Sequence, residues 1–225
     1  MTVGANTTVT KSASNKIIFA KGGTQTLTDN AAIKQDLGVV QISANSTNST
    51  LNLGSSVKVT NVTIDASQIL SANGANTVTC LGDWTNNGTF TPVTGTVAFN
   101  GVGTQTLAGD TDFYNLQATA AAARTLNFTA GTTQTIASGG SITFTGADES
   151  NLLTLASTNP GTQWNLQADN NIAAETIQYV AVADSNAGPF GTYAEVVAAD
   201  GTSRDDGDNE NWDFGKKAAG FLQYF

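Results

Sequence analysis

The stretch FNGVGTQTL, Phe99–Leu107, occurs in two further versions in the chain: FAKGGTQTL at Phe19–Leu27 and FTAGTTQTI at Phe128–Ile136. Superposing the copies on Phe19, Phe99 and Phe128 brings Gln25, Gln105 and Gln134 together, and likewise Leu27, Leu107 and Ile136. A catalytic loop is needed once, whereas a pattern F-x-x-x-x-T-Q-T-[L/I] written three times reads as a structural rung. The interval from Phe19 to Phe99 is nearly three times that from Phe99 to Phe128. Two degenerate rungs fit the longer gap, around LNLGSSVKVTNVTID and NTVTCLGDWTNNGTF. The expected coil is then roughly 27 residues long, inside the range of periods that marks solenoids and related arrays.

Within a copy the residues alternate. In GTVAFNG, Val97 and Phe99 share one face while Thr96 and Ala98 share the other, and in TQTL, Gln105 and Leu107 point the same way. Period-2 alternation, punctuated by Asn73-Gly74, Asn87-Gly88 and Asn100-Gly101, describes half-buried strands joined by tight turns. Thr and Val suit such strands, and Asn and Gly suit the turns. The expected fold is all-β, a parallel β-solenoid with short rungs. Stacked rungs would set Phe over Phe and Gln over Gln, an amide ladder with a step of about 4.8 Å. An antiparallel β-sandwich or jelly roll, with chance T-Q-T strings, is the alternative. One solenoid domain is expected over residues 1–214, with divergent N-terminal rungs in 1–60 and a closing segment in 172–214. Residues 215–225 form a C-terminal tail.

Composition excludes several chemistries. The 225 residues contain no His and one Cys, Cys80, which removes Ser-His-Asp and Cys-His catalysis, histidine metal sites and an internal disulfide. Cys80 alternates with Val78 on one face and reads as a buried thiol. No apolar run reaches membrane-span length, so no membrane insertion is expected. No basic patch carries aromatics for stacking, so no nucleic acid is expected either. The net charge of −9 is uneven: +3 over residues 1–60, −3 over 61–147 and −9 over 148–225. A basic front and an acidic back attract when copies stack head to tail.

The run GDWTNNGTFTPVTGTVAFNGVGTQTLAGDTDFYNL, Gly82–Leu116, resembles the repeat of large bacterial cell-surface, adhesin-like β-solenoid proteins. There a G-x-W-x-N-x-G-x-F segment precedes T-V-x-F-x-G, Q-T-[I/L] and F-x-N-L. The ending IQYVAVADSNAG…DGTSRDDGDNENWDF, Ile177–Phe214, is similar to the segment that closes such modules. Residues 1–60 match less well. The resemblance implies an extracellular, right-handed parallel β-helix with a structural or adhesive role, its export signal already removed.

Four groups of residues are candidates for a site. Asp205, Asp206, Asp208 and Glu210, with the Asn209 and Asn211 amides, offer oxygens to a hard cation such as calcium, though not in EF-hand spacing; a solvated acidic turn is the plainer reading. Asp83, Asp110 and Asp112 with Arg124 are the only material for a polysaccharide-cleaving site, and no enzyme activity is expected. Trp84, Trp164 and Trp212 are either sugar-stacking platforms or core, with core favoured because Trp84 and Trp212 occupy repeat-motif positions. The tail carries Phe221, Leu222, Tyr224 and Phe225, an apolar end that suits a cap or an assembly strand. The expected function is a structural subunit of an extracellular filament or surface layer, with itself as partner and no obligatory cofactor. The alternative is an adhesin or glycan-binding module.

Overall fold

The computed structural model describes residues 1–5, 8–10, 16–43, 48–188 and 193–215. Among these the regular elements are strands, stacked as coils of a parallel β-solenoid of about eight turns. The sandwich alternative fails on strand direction: apart from Tyr193–Ala194 against Trp164–Asp169, the strand ladders are parallel.

Each coil runs over three faces. The first is a sheet of nine strands that opens with Lys16–Phe19 and closes with Arg204–Asp205. The second begins as a sheet of five, from Thr2–Val3 to Thr89–Thr91. The third starts at Val57–Val59 and passes through Thr77–Cys80 and Thr96–Phe99. In the next two coils the second and third faces are spanned by single bent strands, Thr111–Thr119 and Thr133–Thr145, and in the coil after them by separate strands again, Trp164–Asp169 and Ala174–Gln178. Between the two bent strands the register jumps at the bend: Phe113 pairs with Ile136, but Asn115 pairs with Ser141, so Ala137–Gly140 loops out. Gly140 is required there, because a Cβ would sit 2.0 Å from the Tyr114 carbonyl oxygen.

On the first face Val62 stacks on Val40 and Trp84 on Val62 at equal steps along the chain, and Leu107 follows Trp84 after one residue more. Later coils lengthen, as the steps from Phe128 to Ser157 and from Leu155 to Val182 show. The early coils are therefore shorter than the motif spacing predicts, and the reason lies in the triplicated motif itself. Phe19 and Phe128 end strands of the first face and hand over to Gln25 and Gln134 around the next corner. Phe99 instead ends a strand of the third face and hands over to Gln105 on the first. The motif is a corner: an inward Phe closes one strand, a short segment bends, and T-Q-T-[L/I] opens the next. Copies at different corners are not separated by whole coils.

The Gln ladder is accordingly absent. Gln25 stacks on Leu51, Gln105 on Leu126 and Gln134 on Leu166. Among the repeat residues, Phe19, Leu27, Phe99, Gln105, Leu107, Phe128, Gln134 and Ile136 are buried and Gln25 is half-buried. The inward column fills the bore with Leu, Ile, Val and Phe, each side chain adding about 1.5–3 kcal/mol on full burial. One part of it holds Trp84, whose ring lies 5.1 Å from Phe90, 6.5 Å from Phe99 and 6.2 Å from Phe113. Higher up, Trp164 stacks flat on Phe128 with ring centroids 3.7 Å apart.

Cys80 lies fully inside this column, and burial pushes its thiol up to about 12. The thiolate that attacks a disulfide reagent is then almost absent at neutral pH. In the folded protein an aromatic disulfide reagent is expected to titrate no thiol within an hour, and one thiol at once in guanidinium. Rapid native reaction would show that this coil opens.

Candidate functional site

Side chains at the corners tie each coil to the next through backbone N–H groups. Asn61 accepts from the Asp83 N–H at 2.9 Å, Asp83 from the Thr106 N–H at 2.8 Å, and Asp110 from the Thr133 N–H at 2.8 Å. Asp184 and Asn209 do the same for Gly161 and Ser185. Asp83 and Asp110, two of the three acids read as catalytic material, are thus corner clips. Asp112 is exposed on the Thr111–Thr119 strand.

Arg124 does not join them. It is 7% exposed and turns inward, donating to Gln105 Oε1 at 2.8 Å, the Phe99 carbonyl at 2.6 Å and the Thr119 carbonyl at 3.2 Å. Gln105 extends the seam, donating to the Cys80 and Gly82 carbonyls and accepting from the Gly101 N–H. Burial lowers the Arg124 pKa from the ordinary guanidinium value. All these oxygens are uncharged, so Arg124 and Gln105 form a cross-brace that holds successive coils together at one corner.

The three tryptophans are core. Trp84 and Trp164 are fully buried, and Trp212 is 8% exposed with its indole N–H on Ser185 Oγ at 3.0 Å.

The acidic turn near the C-terminal end is divided among separate partners. Asp206 forms a forked ion pair with Arg204, at 2.6 and 3.1 Å. Asp205 Oδ1 accepts from the Gly207 N–H and the Asn209 amide, and Glu210 accepts from Asn186 at 3.2 Å. The Asp208 carbonyl accepts from Gln163. Among the described residues no three Asp, Glu or Cys side chains converge as a metal site would require. The assembly residues Phe221, Leu222, Tyr224 and Phe225 lie outside the described residues.

What remains are the two ends. At the N-terminal end the Lys16–Phe19 strand has a described strand partner on one side only, Val39–Ile42, and it presents exposed Lys16 and half-exposed Ile18. Exposed Lys21 lies beside it, and the N-terminal amino group donates to the Thr26 carbonyl at 2.6 Å. At the opposite end Arg204–Asp205 has, among the described residues, a strand partner on one side only, Val180–Val182, amid exposed Asp200, Asp205, Asp206, Asp208, Glu210 and Asp213. In sequence Asp205, Asp206, Asp208 and Glu210 read as candidate ligands; the structure sets them with Asp200 and Asp213 at the end opposite Lys16 and Lys21.

No known protein family matches the chain, and neither a curated protein nor a solved structure is detectably similar to it.

Proposed function

We propose that this chain is a structural subunit of an extracellular filament or surface layer, its copies stacking head to tail. The observation that carries the reading is that one sheet runs the whole length of the solenoid and offers an unpaired strand among the described residues at each end. Unpaired strand edges are templates for pairing with another chain. The opposite charges of the two ends favour the head-to-tail approach over head-to-head. A bore filled with aliphatic and aromatic side chains suits a rod, and the assembly needs no cofactor. In sequence the tail adds Phe221, Leu222, Tyr224 and Phe225, apolar residues that suit such a joint. The extracellular setting rests on the resemblance to bacterial surface solenoids.

Negative-stain electron microscopy of the purified chain, beside a version ending at Gly215, tests this. Long regular fibres from the full chain are expected, with shorter or no fibres from the truncated one. Monomers throughout, over a wide concentration range in low salt, would overturn the assembly reading. Binding to surface glycans, as an adhesin module, would then be the next property to measure.

A further inference from the structure

The dipeptide Asn-Gly occurs at Asn73-Gly74, Asn87-Gly88 and Asn100-Gly101, and the fold sets these pairs at different corners of the coil. Asn73 follows the Ile69–Ser71 strand of the second face, Asn87 the Trp84–Asn86 strand of the first and Asn100 the Thr96–Phe99 strand of the third. All of these asparagines are exposed, but their glycines are not alike. The Gly101 N–H is buried and donates to Gln105 Oε1 at 3.0 Å, and a Cβ on Gly101 would lie 2.2 Å from the Leu81 carbonyl oxygen. The Gly88 N–H donates to Asn86 Oδ1 at 3.2 Å, and a Cβ there would lie 2.4 Å from the Gln68 carbonyl oxygen. Gly74 instead has open space around it, at a φ of 116°, and its N–H has no hydrogen-bond partner among the described residues.

We propose that Asn73 is a site of spontaneous covalent modification, the Gly74 nitrogen closing a succinimide ring on the Asn73 side-chain amide while the other two pairs stay intact in the folded chain. The Gly74 nitrogen attacks Asn73 Cγ and gives up its proton to solvent. The new N–Cγ bond forms as the Cγ–Nδ2 bond breaks, and ammonia leaves. Water then adds to one of the two ring carbonyls and opens the ring, to aspartate or to isoaspartate, in which the main chain runs through Cγ. The step needs a nitrogen free of its hydrogen bond and room for Cγ to swing onto it. Glycine supplies that room where no other coil packs against it, since it lacks a Cβ. Of the three pairs, only Asn73-Gly74 meets both conditions. Giving up a hydrogen bond first slows the attack about fivefold, and the packing against Gly88 and Gly101 slows it further.

The surroundings accept the product. Asn73 has a φ of 51°, a conformation that aspartate also adopts. Its Nδ2 donates to the Leu53 carbonyl at 3.2 Å, and Asn76 Nδ2 donates to the same carbonyl at 3.1 Å, so that oxygen keeps a donor when ammonia leaves. Each event adds one negative charge to a chain of net charge −9. The isoaspartate form also adds a methylene to the main chain between the Ile69–Ser71 and Thr77–Cys80 strands. The converted fraction at Asn73 thus records the age of the folded molecule, whether or not copies assemble.

The test incubates the full chain in warm, mildly alkaline buffer, folded and in guanidinium, until the unfolded sample has converted at all three sites. Chymotrypsin cuts after Leu70, Leu81, Trp84, Phe90 and Phe99, which places the three asparagines on separate peptides, and mass spectrometry reads the exchange of amide for acid on each. In guanidinium the three rates should converge. In the folded chain Asn73 should lead Asn87 and Asn100 by about fivefold or more. Asn73→Gln should remove the first acidic band on isoelectric focusing and leave the other two peptides as they were. Equal rates in the folded chain, or a lead by Asn87 or Asn100, would overturn the proposal. So would a folded chain that stays unmodified at Asn73 while the unfolded one converts.

Discussion

Truncating Trp84 to alanine is expected to destabilise the fold by about 3–5 kcal/mol, the range for removing a large aromatic from a core. Trp84 is fully buried against Phe90, Phe99 and Phe113, and the four rings together come from all three walls of the bore. The surrounding strands are pinned in ladders and cannot collapse into the space, so the cavity penalty adds to the lost transfer energy. Trp84→Phe is the informative control. The indole N–H of Trp84 has no hydrogen-bond partner among the described residues, so phenylalanine removes a buried unsatisfied donor as well as volume. The phenylalanine variant should therefore lose less than half of what alanine loses, read from guanidinium midpoints. Equal losses would mean that the indole makes a hydrogen bond after all.

Arg124→Ala is the second large loss, about 2–4 kcal/mol for the interior acceptors it would leave without a donor. The guanidinium supplies donors to two strand-end carbonyls and to Gln105. Leaving such acceptors unpaired costs about 1–3 kcal/mol apiece before relaxation. Gln105→Ala should lose somewhat less, because Phe99 and Thr119 keep their donor. The two changes should not add: in a double-mutant cycle the pair should fall short of the sum, since both dismantle one corner. Strict additivity would sink the idea of a shared seam. Arg124→Lys is expected to recover little, because an ammonium cannot fork to carbonyls on different coils.

The solenoid was legible in the sequence because alternation and repetition are properties of single strands and need no knowledge of stacking. Coil length was not. The triplicated motif marks a bend, and a three-faced coil has three bends where the same chemistry works, so the intervals between Phe19, Phe99 and Phe128 mix faces with coils. A series such as Val40, Val62, Trp84 and Leu107 carries the true step, yet those residues share only apolarity and give no string to match. Arg124 stands in the sequence as a lone cation among acids, and composition suggests pairing it with Asp110 or Asp112. Its actual partners are backbone carbonyls and an amide, which leave no trace in side-chain identity. The same holds for Asp83 and Asp110, whose acceptor role serves N–H groups one coil away. Lys16 and Asp206 were readable only as members of a basic front and an acidic back.

The equal steps from Val40 to Val62 and from Val62 to Trp84 have an evolutionary side. Inserting or deleting one whole step between Val40 and Trp84 returns every later side chain to its own face, because the strand ladders there join each coil only to the coils above and below. An insertion of a single residue inside a strand instead turns the alternation over and sets threonines in the bore. Length in such a gene is thus free to drift in units of one coil, by the slippage that repetitive coding sequence invites, while its fine spacing stays under strict selection. A rod can be lengthened or shortened by copying, with no new packing to invent, and the charges at its two ends travel unchanged.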